Sequence, residues 1–171
     1  NQYTGNNQAT GPITINLNKE TEIKQGLIGS MLNVLGTQYT RQYQELAMQS
    51  RLKIPLLFGQ DVIHGYKTTF PIPLAEAASW DLDAMELSAR IAATESAASG
   101  IHWTFAPMVD IARDPRWGRV MEGAGEDTYL GSMIATARVK GFQAKLGDVN
   151  SVMACVKHFA AYGAAVGGRD Y

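Results

Sequence analysis

Cysteine is almost missing from this chain. Cys155 is the single one among 171 residues, so no disulfide can close within it. It sits in the apolar run Val152-Met153-Ala154-Cys155-Val156, where a small buried core thiol is expected. One cysteine without a partner says little about redox compartment. Histidine is nearly as sparse, with 3, and neither His64 nor His102 has a second ligand at metal-binding spacing, so no metal site is expected. Neither sign of charge prevails. Fifteen basic and 16 acidic side chains leave a net charge of -1, which argues against nucleic acid or an anionic membrane as the main partner. No apolar run is long enough to span a bilayer, and no leader peptide, internal repeat or low-complexity stretch is visible. The first residue is Asn1 and not Met, and the chain stops at Arg169-Asp170-Tyr171; it is expected to be a piece of a longer polypeptide.

What the sequence does contain is a strand–helix alternation. Residues 5–19 are polar, rich in Asn, Thr and Gly, and predict a loop. Residues 27–34 read as a short buried strand, and 40–51 as a helix with Tyr43, Leu46 and Ala47 on one side. Leu56-Leu57-Phe58-Gly59 follows Ile54-Pro55 as a buried strand, since Pro55 can stand only at its start, and 61–70 is a polar loop. Asp81 or Asp83 caps an alanine-rich helix that runs to about Ala98, with Gly100 suited to close it. A strand over 103–109, a helix over 128–144 with Leu130, Ile134, Ala137 and Phe142 inward, and a strand over 152–156 complete the series. Alternation of this kind implies parallel strands with right-handed crossovers, and continuous apolar strands imply a sheet covered on both faces. The length suits one ordinary domain but falls short of a whole (β/α)₈ barrel, which takes about 250 residues.

Each of the convincing strands ends in polar groups. The first gives Gln60-Asp61 with His64 close behind, the second gives Asp110 and then Arg113-Asp114-Pro115-Arg116-Trp117-Gly118-Arg119, and the third gives Lys157-His158. Parallel strands place their C-terminal ends on one face, so these groups converge on one pocket. The set suits a neutral polyol: Asp61 accepts from two vicinal hydroxyls, while Arg119, Lys157 and His158 donate to others, and Trp103 or Trp117 offers an apolar face to a ring. Plainer readings stand beside these. Asp61 caps a turn, Arg113 and Arg116 pair as buried loop arginines with a carboxylate such as Asp114, and Trp117 packs in the core. Lysine straight after an apolar strand is rarely buried without a partner, which gives Lys157, and His158 beside it, more weight. Glu122, Glu126 and Asp127 are the tempting acid–base candidates, but Glu126-Asp127-Thr128 opens a helix, and capping with the helix dipole accounts for them.

Five segments in order carry a family resemblance: Phe58-Gly59-Gln60-Asp61-Val62-Ile63-His64-Gly65, Phe105-Ala106-Pro107, Arg113 to Arg119, Glu122 to Asp127, and Lys157-His158-Phe159. Together they resemble the N-terminal domain of glycoside hydrolase family 3. Arg51-Leu52-Lys53-Ile54-Pro55 and Lys157-His158-Phe159-Ala160-Ala161-Tyr162-Gly163 are similar to the periplasmic bacterial β-glucosidase type. The resemblance runs from about Leu27 to the end. It implies an α/β fold that is part of a (β/α)₈ TIM-like barrel, with residues 1–171 a partial N-terminal barrel domain lacking the later strands and a following α/β sandwich domain. It implies retaining hydrolysis of terminal β-D-glucosyl residues, a β-glucoside or oligosaccharide substrate, a periplasmic or secreted location, and no cofactor. Asp61, Arg119, Lys157 and His158 match positions that bind sugar hydroxyls in the terminal subsite. The nucleophile and the acid/base match no residue of this chain, so the remainder of the same polypeptide is the expected partner and the piece alone is expected to be inert. A β-xylosidase of the same family and a non-catalytic sugar-binding module are alternatives. The β-N-acetylglucosaminidase branch carries a histidine in a Pro-Gly-His-Gly-like loop, where this chain has Ala160-Ala161-Tyr162-Gly163-Ala164-Ala165.

Overall fold

A computed structural model of the chain describes residues 2–4 and 19–170. Five parallel strands form one sheet in the order β1 (Gln2–Thr4), β2 (Ser30–Leu32), β3 (Leu57–Gln60), β4 (Trp103–Thr104), β5 (Met153–Ala154). Every strand pairs with its neighbour in sequence: Met31 with Phe58, Gly59 with Trp103, Trp103 with Met153. The order never reverses, which is the arrangement of a singly wound barrel and not of a doubly wound sheet. Helices α1 (Lys19–Lys24), α2 (Thr37–Ala47), α3 (Pro73–Ser79), α4 (Leu82–Ala98) and α5 (Thr128–Gln143) fill the crossovers.

Strand alternation sorts the two faces. Met31 and Phe58 are buried with Ile23, Ile28, Val34, Ala47, Leu56 and Ile101 beneath α1 and α2, with Tyr43 and Leu46 packed alongside. The other face carries Gly59, where a Cβ would lie 2.1 Å from Nε1 of Trp103; only glycine lets that indole cross the strand. Beneath the second half of the sheet, Ala89, Ala92 and Ala93 of α4 join Val62, Ala106, Phe142 and Val152. Gly141 brings α5 onto α4 so closely that a Cβ would stand 2.3 Å from the Glu86 carbonyl oxygen.

The long helices begin where their caps place them. Asp81 accepts from the Ala84 N–H at 2.9 Å and Asp127 from the Leu130 N–H at 2.6 Å, and Gly100 follows α4 with φ of 86°. α3 lies in a stretch given no helix from the sequence; Pro73 stands in its first turn, which proline tolerates. The expected 5–19 loop falls outside the described residues, except that Lys19 opens α1. β4 and β5 are shorter than their apolar runs, because the ladder breaks near Pro107 and resumes in the pairing of Met108 with Lys157. Among the described residues no helix is long and apolar enough to cross a membrane.

Candidate functional site

The interrupted ladder sets the site. The Cys155 N–H donates to the Ala106 carbonyl at 3.0 Å, the Lys157 N–H to Pro107 at 3.1 Å, and the Val109 N–H to Lys157 at 2.8 Å. Two segments therefore leave the sheet side by side and bring Asp110 against His158. The arginine loop closes from one side. Asp114 accepts from the Arg116 N–H at 3.0 Å and Pro115 follows it, as expected for a turn of this composition. Residues 160–168 clamp that loop through close backbone approach: a Cβ on Gly163 would meet the Ile111 carbonyl oxygen at 2.2 Å, and one on Gly168 the backbone of Arg116 at 2.6 Å.

All four residues expected to converge line one open cavity of about 830 Å³: Asp61, Arg119, Lys157 and His158. Lys157 donates through Nζ to Asp61 Oδ1 at 2.8 Å, with the lysine largely buried and the carboxylate partly exposed. Arg119 donates through Nε and Nη2 to the two oxygens of Glu122 at 2.7 and 2.6 Å. Its guanidinium also lies 5.5 Å from the Tyr162 ring centre, and its Nη1 is 3.3 Å from His158 Nε2. Tyr162 stands edge-on to both Trp117 and His158, at 5.3 and 4.7 Å between ring centres.

Electrostatics reinforce this geometry. The Glu122 carboxylate raises the already high pKa of Arg119, against the opposing pull of burial. Burial pushes Glu122 up, but the Arg119 fork, with Lys157 beyond it, outweighs burial and holds the carboxyl below the usual range. On the outer face of the loop, the fork and main-chain N–H of Arg116 hold the Asp114 carboxyl down to about 2.

Several sequence expectations change. Glu122 does not serve a helix N-terminus; it grips Arg119 at the cavity wall. Its separation from Arg119, three residues across a 3-10 turn, was the available signal. Asp110, a strand-end group given no role in the pocket, accepts through Oδ2 from the His158 N–H at 3.0 Å and from Nδ1 at 2.7 Å. His158 is thus held between Asp110 at Nδ1 and Arg119 at Nε2. Cys155 lines the cavity and is only partly buried, not a core thiol. Arg116 is exposed and pairs with Asp114 at the surface, while Arg113 is exposed too. Trp117 is core, 1% exposed, with its indole N–H donating to Asp170 at 3.3 Å. His64 and His102 serve the fold: Nδ1 of His64 meets the Phe70 carbonyl, and Nδ1 of His102 accepts from the Phe58 N–H. Asp127 is a cap, as expected. Among the described residues no group of histidines, cysteines and carboxylates could hold a metal ion.

Comparison with known proteins gives a consistent result. The family model for the glycosyl hydrolase family 3 N terminal domain matches residues 7–171. The chain is 52% identical over 151 residues to a periplasmic beta-glucosidase of Salmonella typhimurium, covering 87% of this chain and 20% of that protein. Among solved structures, the beta-glucosidase of Listeria innocua in complex with isofagomine aligns with a TM-score of 0.89 at 43% identity, over 98% of this chain and 24% of that one. The same enzyme in complex with glucose aligns with a TM-score of 0.80 at 48% identity, over 81% and 20% respectively. The chain thus spans about a fifth of the length of the curated relative it matches.

Proposed function

The chain belongs to glycoside hydrolase family 3, as a stretch of its N-terminal domain, and from that premise we propose that the protein carrying it hydrolyses terminal non-reducing β-D-glucosyl residues with retention of configuration. The observation that carries the proposal is the convergence of Asp61, Arg119, Lys157 and His158, from three separate strand ends, on one cavity of about 830 Å³.

In this reading the cavity wall is the terminal sugar subsite. Asp61 takes the hydrogens of two neighbouring hydroxyls, trading part of its contact with Lys157 for them. Lys157 and Arg119 donate to sugar oxygens, and His158 offers the Nε2 lone pair as Arg119 Nη1 turns from it to the sugar. Hydroxyl contacts that tighten as the ring approaches an oxocarbenium-like state contribute several kcal/mol to the rate. The chemistry itself needs two carboxyl groups about 5–5.5 Å apart. Asp61, Asp110 and Glu122 are each engaged by Lys157, His158 and Arg119 respectively, which suits binding and orientation and not attack. The nucleophile and the acid/base are therefore assigned to the remainder of the polypeptide, on later barrel strands and a following domain. Likeness to a periplasmic beta-glucosidase supports a periplasmic or secreted location.

The test uses the full-length protein with 4-nitrophenyl β-D-glucoside, the β-xyloside and the β-N-acetylglucosaminide, and follows the first-formed anomer by proton NMR. Fastest turnover of the glucoside with β-glucose appearing first is expected. Release of α-glucose first, or binding of glucose without turnover of any of the three, would overturn the reading.

A further inference from the structure

We infer that Asp110 is a positioning residue that fixes both the orientation and the tautomer of His158, so that Nε2 reaches the cavity as a hydrogen-bond acceptor. The role in sugar binding rests on the function proposed above; the tautomer rests on geometry alone.

Asp110 is 6% exposed and its carboxylate lies at the end of the apolar stretch Pro107-Met108-Val109. One oxygen, Oδ2, takes both the main-chain N–H of His158 at 3.0 Å and ring Nδ1 at 2.7 Å. An ionised carboxylate only accepts, so Nδ1 must bear the proton. The opposite nitrogen is constrained from the other side. Nη1 of Arg119 stands 3.3 Å from Nε2, and a guanidinium only donates, so a proton on Nε2 would set two donors against each other. Asp110 and Arg119 thus agree on a single neutral tautomer. Tyr162, edge-on at 4.7 Å, limits rotation of the ring between them. Glu122 completes the chain of contacts by holding Arg119 with both oxygens.

The consequence is a division of labour. Lys157 and Arg119 can only donate, and Asp61 can only accept when ionised. His158 becomes a second acceptor because Asp110 makes it one, its Nε2 lone pair passing from Arg119 Nη1 to a sugar hydroxyl. Without Asp110, imidazole is free to place its proton on Nε2, turn toward solvent, and repel Arg119.

The experiment has two arms in the full-length protein. In the first, kcat/KM for an aryl β-glucoside is compared among wild type, Asp110→Asn, His158→Ala and the double variant. Asp110→Asn should lower kcat/KM about 10- to 100-fold, the range found when the orienting partner of a metal-bound histidine is removed. It should cost little more in the His158→Ala background, because it acts through that ring. A merely structural aspartate would cost the same in both backgrounds. In the second arm, nitrogen-15 shifts of the His158 ring are read by long-range correlation NMR. Wild type should show the proton on Nδ1, and Asp110→Asn should show a shift toward Nε2. A wild-type ring protonated on Nε2, or full additivity of the two substitutions, would overturn the inference. If no aryl β-glycoside is turned over, the proposed function falls and the NMR arm still decides the tautomer.

Discussion

Glu122 occupies both oxygens on one guanidinium, and that fixes where Arg119 can aim. Shortening this to a single contact is a change of orientation more than of charge at the cavity. In the full-length protein, Glu122→Gln should reduce kcat/KM for an aryl β-glucoside about tenfold, close to the 1.4 kcal/mol that one weakened charged hydrogen bond represents. Steady-state kinetics would check it, with a wild-type value counting against a sugar role for Arg119. At this scale the sequence was legible wherever a residue stands at a strand end. Asp61, Lys157 and His158 were placed by that rule, and the cavity holds all three. Asp110 stood at the same kind of position, but its partner lies 48 residues away and only the fold joins them. Glu122 was misplaced because two true capping candidates, Glu126 and Asp127, follow it so closely.

Elements here are held at a few points of close contact. Arg138 of α5 is 3% exposed, pairs with Glu76 of α3 and donates to the Ile63 carbonyl, two residues beyond Asp61. Burial works against its charge, and Glu76 offsets that in part. Arg138→Met leaves Glu76 buried without its partner, so it should cost about 3–5 kcal/mol, and Glu76→Leu added to it should restore a large part. Urea unfolding midpoints of the single and double variants decide this; a double variant no better than the single would contradict it. Helix boundaries were legible because Asp81, Asp127 and Gly100 mark them chemically. α3 was not, since Phe70-Pro71-Ile72-Pro73 reads as a loop until Pro73 is seen to occupy a first turn. The strands ended early where Pro107 cannot donate to a ladder.

Across the whole molecule, strand order identifies the architecture. Five parallel strands in sequential order, with helices in the crossovers, make a segment of a barrel whose strand ends share one rim. Two groups make the fold sensitive to acid, one beneath the sheet and one at the cavity wall. Burial holds the pKa of His102 below its ordinary 6.5, so the neutral form belongs to the fold and accepts from the Phe58 N–H at 3.1 Å. The unfolded chain binds that proton more readily, so this contribution is complete above about pH 6.5 and declines as the pH falls below it. Glu122, with its pKa lowered, adds a contribution that is complete above the ordinary 4.5 and is lost as the pH falls through its lowered value. Denaturant stability measured from pH 7.5 to 4 should therefore decline toward acid. His102→Asn, which keeps an acceptor for Phe58 without titrating, should flatten the first part of the decline; an unchanged slope between pH 6.5 and 5 would exclude His102 as its source.

The central claim is that the rim binds a sugar through Asp61 and its neighbours, and Asp61→Ala in the full-length protein tests it most directly. The variant loses two charged hydrogen bonds, each worth about 1.5–3 kcal/mol, and kcat/KM for an aryl β-glucoside should fall about 10²- to 10⁴-fold. A folded Asp61→Ala protein with near-native kcat/KM would contradict the account.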